Sequence, residues 1–213
     1  MKKTIIRLVE WIFDIPDDEW VVTGVKRKMR GWLGFREEQW LRVVMNQETR
    51  KLVSAIEPVP RNVLEISGQY WEKFGFSNYR KLFYPEFNIC DGPLDEQFDL
   101  IIAEQVFEHL LWPYRAGKNV YTNLNSGGYF LVTTPFLVRV HEHPTDCSRW
   151  TQTGIRHFLA ECGFSLDHIS TGAWGNRSCI TRNFPRWIHY HPWLHSLKNE
   201  TLLPAVVWAL AKK

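Results

Sequence analysis

Several features that would steer a reading of this chain are scarce or missing. Only four cysteines occur among 213 residues (Cys90, Cys147, Cys162 and Cys179), and none forms a CxxC pair. Thiols scattered this thinly suit a reduced, cytoplasmic protein and argue against a disulfide scaffold. No stretch reaches the roughly 18 uncharged apolar residues that a membrane-spanning helix needs, so no membrane span is expected. Residues 5–12 are apolar but carry Arg7, Glu10 and Trp11, and no small-residue cleavage site follows, which makes a poor signal peptide. Neither sign of charge dominates: 26 Lys and Arg stand against 23 Asp and Glu, for a net charge of +3. A nucleic-acid partner is therefore not expected, since such proteins concentrate basic residues on one face. The one basic cluster, Lys26-Arg27-Lys28-Met29-Arg30, reads as a solvated helix face or loop. Internal repeats and low-complexity tracts are missing too.

Tryptophan, by contrast, is abundant, with eleven residues. Most should fill a core, and a surplus can line an apolar pocket. The length suits one domain with an appendage. Residues 1–58 read as a helical N-terminal cap, with apolar residues at helical spacing in 5–12 and again in 37–56. Pro58 and Pro60 close that segment. Residues 59–213 then change texture. Asn62-Val63-Leu64-Glu65-Ile66-Ser67-Gly68 reads as a buried parallel strand ending on a glycine. Further strands are expected over residues 79–84, 98–103, 129–134, 164–170 and 204–211. A helix is expected over residues 113–124, with Pro113 in its first turn, and a turn at Asn125-Ser126-Gly127-Gly128. Another helix starts at the N-cap Thr151 and stops at Gly163. Strands alternating with helices mean an α/β fold with a mainly parallel sheet.

Ligands of open α/β sheets bind beyond the carboxyl ends of the strands. Three such ends are legible: Glu65-Ile66-Ser67-Gly68, Ala103-Glu104-Gln105-Val106-Phe107-Glu108-His109, and Thr133-Thr134-Pro135-Phe136. Taken in order, VLEISG, FDLIIAEQVFEHL and NSGGYFLVTTPF resemble the signatures of small-molecule class I S-adenosylmethionine-dependent methyltransferases, across roughly residues 61–170. The resemblance implies a Rossmann-like sheet with an antiparallel last strand. It also implies S-adenosyl-L-methionine as cofactor, and methyl transfer to a hydroxyl or amine of a small molecule. Glu65, Ser67 and Gly68 would border the cofactor's methionine part, and Glu104 and Gln105 its sulfonium side. His109 would position substrate or accept a proton, unless it is a structural histidine bonded to backbone. The chain departs from the family where Gln69-Tyr70-Trp71 replace further glycines. Only about thirty residues separate Gly68 from Phe98, so one helix is expected to be lost. Glu86 is the candidate ribose acid, and Tyr84 a candidate to pack on the adenosine.

His141-Glu142-His143-Pro144-Thr145-Asp146-Cys147-Ser148-Arg149-Trp150-Thr151 resembles the HExPxDxxRxT segment of methyltransferases encoded among bacterial surface-polysaccharide and natural-product genes. His141 and His143 become candidates for substrate contact or base. Asp146, Arg149 and Trp150 are candidate substrate residues, although Asp146 and Arg149 could equally be a structural pair holding the loop. No metal is expected, because His141, His143, Cys147, His189, His191 and His195 match no compact zinc spacing. Two other outcomes stay open: a cyclase that releases methylthioadenosine, or a non-catalytic binding protein on the same scaffold. A nucleic-acid methyltransferase would favour an (N/D)PP(Y/F) signature where Ala103-Glu104-Gln105-Val106 stands. An aromatic cap could also serve a homodimer.

Overall fold

Val63, Leu64 and Ile66 of β1 (Asn62–Ile66) and residues 100–103 of β3 (Phe98–Glu104) are buried on both faces, as unbroken apolar runs require. The computed structural model describes Lys28 and residues 31–213. With β2 (Asn78–Leu82), β4 (Leu124–Pro135), β5 (Ile169–Trp174) and β6 (Val206–Lys212) these strands form one sheet in the order β2-β1-β3-β4-β6-β5. The pairs β2/β1, β1/β3 and β3/β4 are parallel, and β6 runs antiparallel to both β4 and β5. The antiparallel last strand is therefore observed. The strand order reverses between β1 and β3, which makes their carboxyl ends the topological switch point.

Among the described residues four helices flank the sheet: α1 (Val43–Ser54), α2 (Pro113–Asn123), α3 (Gln152–Glu161) and α4 (Arg177–Asn183). One core joins Ala116 and Val120 of α2 and Ile155, Phe158 and Leu159 of α3 to Leu64, Ile101, Phe130 and Val132 of the sheet. The opposite face packs Val53 and Ile56 on Val63, Trp71, Leu100 and Ile102. Trp40, Val43 and Met45 pack on Trp174, Val206 and Trp208 on that side. The segment 31–58 is thus rooted in the sheet through α1, while Trp11 and Trp20 of the expected cap lie outside the described residues. Trp32 is 87% exposed, and Trp40 is fully buried with its indole N–H on Ser196 O at 3.0 Å.

Three expected elements differ in informative ways. The predicted turn at residues 125–128 is a bulge inside β4: Phe98 pairs with Leu124, but Leu100 pairs with Tyr129. Gly127, at φ 80°, supplies the left-handed residue this needs. The predicted strand at 164–170 gives way to a 3-10 turn (Leu166–His168), and β5 begins only at Ile169. Its signal is faint because Gly172 and Ala173 are small, leaving space that the Trp208 ring fills over Gly172. The helix expected over 37–56 is a 3-10 turn (Trp40–Arg42) running into α1. Thr151 does cap α3, its Oγ1 accepting from Gly154 N at 3.0 Å, and Gly163 is left-handed at φ 122°. The sheet is shortened further than expected. A five-residue 3-10 turn (Tyr70–Phe74) replaces the helix after β1, and no helix or strand occupies residues 83–97.

Candidate functional site

At the switch point, the residues just past β1 and β3 share an unusual backbone. Ser67 (φ 53°) and Gln105 (φ 56°) are the two non-glycine residues with left-handed φ among those described. Such a conformation costs on the order of 1 kcal/mol, so it persists only where surrounding bonds impose it. Ser67 N donates to Leu82 O at 2.7 Å and Gln105 N donates to Thr133 O at 2.9 Å, each reaching over to the adjacent strand. Both residues face a cavity of about 570 Å³, within the size range of a cofactor site.

Of the residues singled out in the sequence, this cavity gathers Ser67, Tyr84, Gln105, His109 and His143. Its walls also include Phe83, Phe87, Asn88, Asp91, Trp112 and Arg115, which sequence reasoning missed. Glu86 is exposed and outside the lining. The helical turn closed by Phe87 N donating to Phe83 O (2.9 Å) puts Phe83, Tyr84 and Phe87 on the cavity and leaves Glu86 facing away. The acid on the cavity wall is Asp91 instead, held by Asn88 Nδ2 at 3.1 Å. The available signal was Ile89-Cys90, a buried pair inside a loop, which anchors the polar residues on either side.

Glu65 acts on the loop rather than lining the cavity. It is 1% exposed and accepts from Tyr70 N (3.0 Å), Trp71 N (2.9 Å) and the Tyr79 hydroxyl (2.6 Å). Burial nevertheless pushes its carboxyl above the usual range, and the bonds from Tyr79 and Trp71 only partly offset this. Burial and the Glu65 carboxylate together push the Tyr79 phenol up. Gly68 is glycine because a Cβ there would collide with Glu65 Oε1. The bulky residues after it fold away from the ligand edge, with Trp71 fully buried beneath the sheet's α1 face.

Glu104 also lies outside the cavity lining. Its Oε1 is buried without a hydrogen-bond partner among the described residues, and burial pushes the carboxyl up to about 7 despite the attraction of Arg42. Gln105 is clamped by its side chain, with Nε2 on Thr133 Oγ1 at 3.1 Å and near Met45 Sδ at 3.7 Å.

Past Gln105 a 3-10 turn (Phe107–His109) is tied to the segment carrying the second constellation. Cys147 N and Ser148 N both donate to Glu108 O, and Thr145 Oγ1 donates to His109 O at 2.5 Å. His109 Nδ1 lies 2.5 Å from Thr145 O, which fixes that nitrogen as the N–H donor. Asp146 accepts from His141 N at 2.8 Å and from both terminal nitrogens of Arg149. Burial alone would raise the Asp146 carboxyl, but the bonds from Arg149 and the His141 amide outweigh it and hold it below the usual range. Asp146 and Arg149 therefore brace the loop, and Trp150 packs on Phe158 at 5.3 Å between ring centroids. None of these three lines the cavity, and neither does His141. His141 stands edge-on to His109, with ring centroids 5.0 Å apart, and burial lowers its pKa. The segment 183–201 packs with α1 through Ile188 and Tyr190. All four cysteines are free, and among the described residues no helix is long and apolar enough to cross a membrane.

The strand order, the single antiparallel strand and the helices on both faces define the class I methyltransferase fold. Solved structures agree. An S-adenosylmethionine-dependent methyltransferase from Thermotoga maritima superposes with a TM-score of 0.52 at 15% identity, over 82% of this chain and 98% of that one. One from Mesorhizobium loti gives 0.50 at 12% identity, over 78% and 97%. No family model matches the sequence, and no curated protein does.

Proposed function

We propose that this chain is an S-adenosylmethionine-dependent methyltransferase acting on a hydroxyl or amine of a small molecule. The observation that carries this reading is the cavity at the β1/β3 switch point, lined by the left-handed Ser67 and Gln105. Its residues fit a nucleoside-bearing cofactor. Phe83, Tyr84, Phe87 and Trp112 offer aromatic surface, and Asn88 and Asp91 offer a donor and an acceptor for a polar base edge. When bound, the cofactor supplies a methyl already activated on a sulfonium. The chain's own task is to align the acceptor with that methyl, exclude water, and take up a proton where the acceptor is a hydroxyl. Ser67 and Gln105, held by Leu82 and Thr133, fix the floor of the site. His109, locked by Thr145, fixes one wall, and the exposed His143 is the group free to accept a proton.

Residues 1–58 serve in this reading as the cover, rooted through α1, and the free thiols favour the cytoplasm. The loop at 141–151 supports an acceptor from surface-glycan or natural-product biosynthesis, because its likeness is to enzymes of such pathways. Incubation with S-adenosylmethionine and a panel of hydroxyl and amine acceptors tests the reaction. Acceptor-dependent S-adenosylhomocysteine supports methyl transfer. Methylthioadenosine would replace it with cyclisation, and neither product from a cofactor-binding protein would leave a non-catalytic scaffold.

A further inference from the structure

We propose that Glu108, His109 and His141 form a site for a divalent transition-metal ion of the zinc class. One ligand atom from each residue lies within 4.8 Å of the other two. The two histidines come from different segments: the 3-10 turn after β3, and the loop after β4 that Thr145, Cys147 and Ser148 pin over that turn.

Glu108 gives the independent evidence that the cluster is built for a ligand. Its side chain is completely buried, yet neither carboxylate oxygen has a hydrogen-bond partner among the described residues. A buried carboxylate left unpaired costs several kcal/mol by order of magnitude, so such groups take up a proton, pair with a cation or coordinate a metal. The nearest basic atom, His109 Nε2, is 3.6 Å from Glu108 Oε1. That is too long for a hydrogen bond. It is close to the roughly 3.3 Å expected between two ligands that each sit about 2.0–2.1 Å from one tetrahedral zinc.

The histidines carry the outer contacts that metal-binding imidazoles use. His109 Nδ1 donates to Thr145 O, which leaves the lone pair on the nitrogen facing Glu108. His141 Nδ1 faces the Arg139 backbone carbonyl at 3.4 Å, with Asp146 Oδ2, itself held by Arg149, 3.5 Å away. A backbone carbonyl or carboxylate behind a histidine orients the ring and raises its basicity as a ligand. Two imidazoles and one carboxylate suit zinc, iron or manganese better than calcium or magnesium. Three protein ligands leave a coordination position open, as catalytic sites do. His109 also lines the cavity, so an oxygen-bearing molecule bound there has a route to the ion. The sequence hid this site because its acid sits between Phe107 and His109 in a turn, and its second histidine is 32 residues on.

The test titrates Zn²⁺, and Co²⁺ as a spectroscopic probe, into the full chain after dialysis against a chelator. No S-adenosylmethionine is present, so the outcome is independent of the cofactor reading. The expected result is one equivalent of Zn²⁺ per chain, with Co²⁺ giving the visible bands of a low-coordinate nitrogen and oxygen site. Glu108→Gln and His141→Ala should each weaken binding by at least about tenfold. The exposed His168→Ala should bind as the parent does. His141 lies in a loop, so its variant keeps the test open if Glu108→Gln fails to fold. No saturable equivalent, or equal binding by the parent and a folded Glu108→Gln or His141→Ala, would overturn the proposal.

Discussion

Glu65, inside β1 near its carboxyl end, and Glu108, past the end of the neighbouring β3, are both buried, and they are partnered in opposite ways. Glu65 spends its oxygens on Tyr70, Trp71 and Tyr79, all in its own chain. Glu108 spends neither oxygen among the described residues. The first carboxylate shapes a loop, and the loop's glycine exists to clear it. The second keeps its binding capacity for something outside the chain. Burial of an acid is therefore no guide to function until its partners are counted.

The comparison can be broken most forcefully at Glu65. Glu65→Ala strands two amides and a hydroxyl and opens a cavity, so it should cost about 3–5 kcal/mol, read as a shift in urea unfolding. A loss under about 1 kcal/mol would mean that those bonds do not organise the loop.

Glu104 is an intermediate case, with one buried oxygen unpaired. Its carboxyl stays protonated in the folded chain up to about pH 7 but ionises near 4.5 when unfolded. Its stabilising contribution is thus full below pH 4.5 and is lost as pH rises through 7. The swing is about 3 kcal/mol, and Glu104→Gln should remove it from the pH dependence of unfolding. An unchanged pH profile in the variant would show that Glu104 is already ionised in the fold.

Glu108→Gln should not destabilise the chelator-treated protein by more than about 1 kcal/mol, since no native hydrogen bond is lost and an uncompensated buried carboxylate is removed. A penalty as large as that of Glu65→Ala would mean that Glu108 has a structural partner after all.

Smaller effects sharpen the placement of the cavity. Asp91→Ala should weaken S-adenosylhomocysteine binding about tenfold, the worth of one hydrogen bond to a charged group. Glu86→Ala should change it less than about twofold, because Glu86 is exposed and outside the lining. The reverse ranking would restore Glu86 as the ribose acid.

The parallel strands were legible because strands covered on both faces carry runs of consecutive apolar residues, as in Val63-Leu64 and Leu100-Ile101-Ile102. Helix α3 was legible from its two ends, Thr151 and Gly163. The β4 bulge was not, because Asn-Ser-Gly-Gly has the composition of a turn whether the chain reverses or only bulges. The start of β5 was obscured by Gly172 and Ala173, whose smallness makes sense only beside Trp208. Helix α4 went unseen, since its cap depends on Asn176 reaching Cys179 N in a segment crowded with polar residues. Among the residues that line the cavity, Ser67, Gln105 and His109 were legible from their positions just past strands. Asp91 and Glu108 were not, because what marks them is the folding of a loop and a missing hydrogen-bond partner.

The central claim is that the switch-point cavity holds the sulfonium cofactor. Isothermal titration calorimetry of the full chain with S-adenosylmethionine, beside the Asp91→Ala variant, tests it most directly. One equivalent bound at micromolar concentration by the parent, and about tenfold more weakly by the variant, is the predicted result. No binding by well-folded protein, or equal binding by parent and variant, would contradict it.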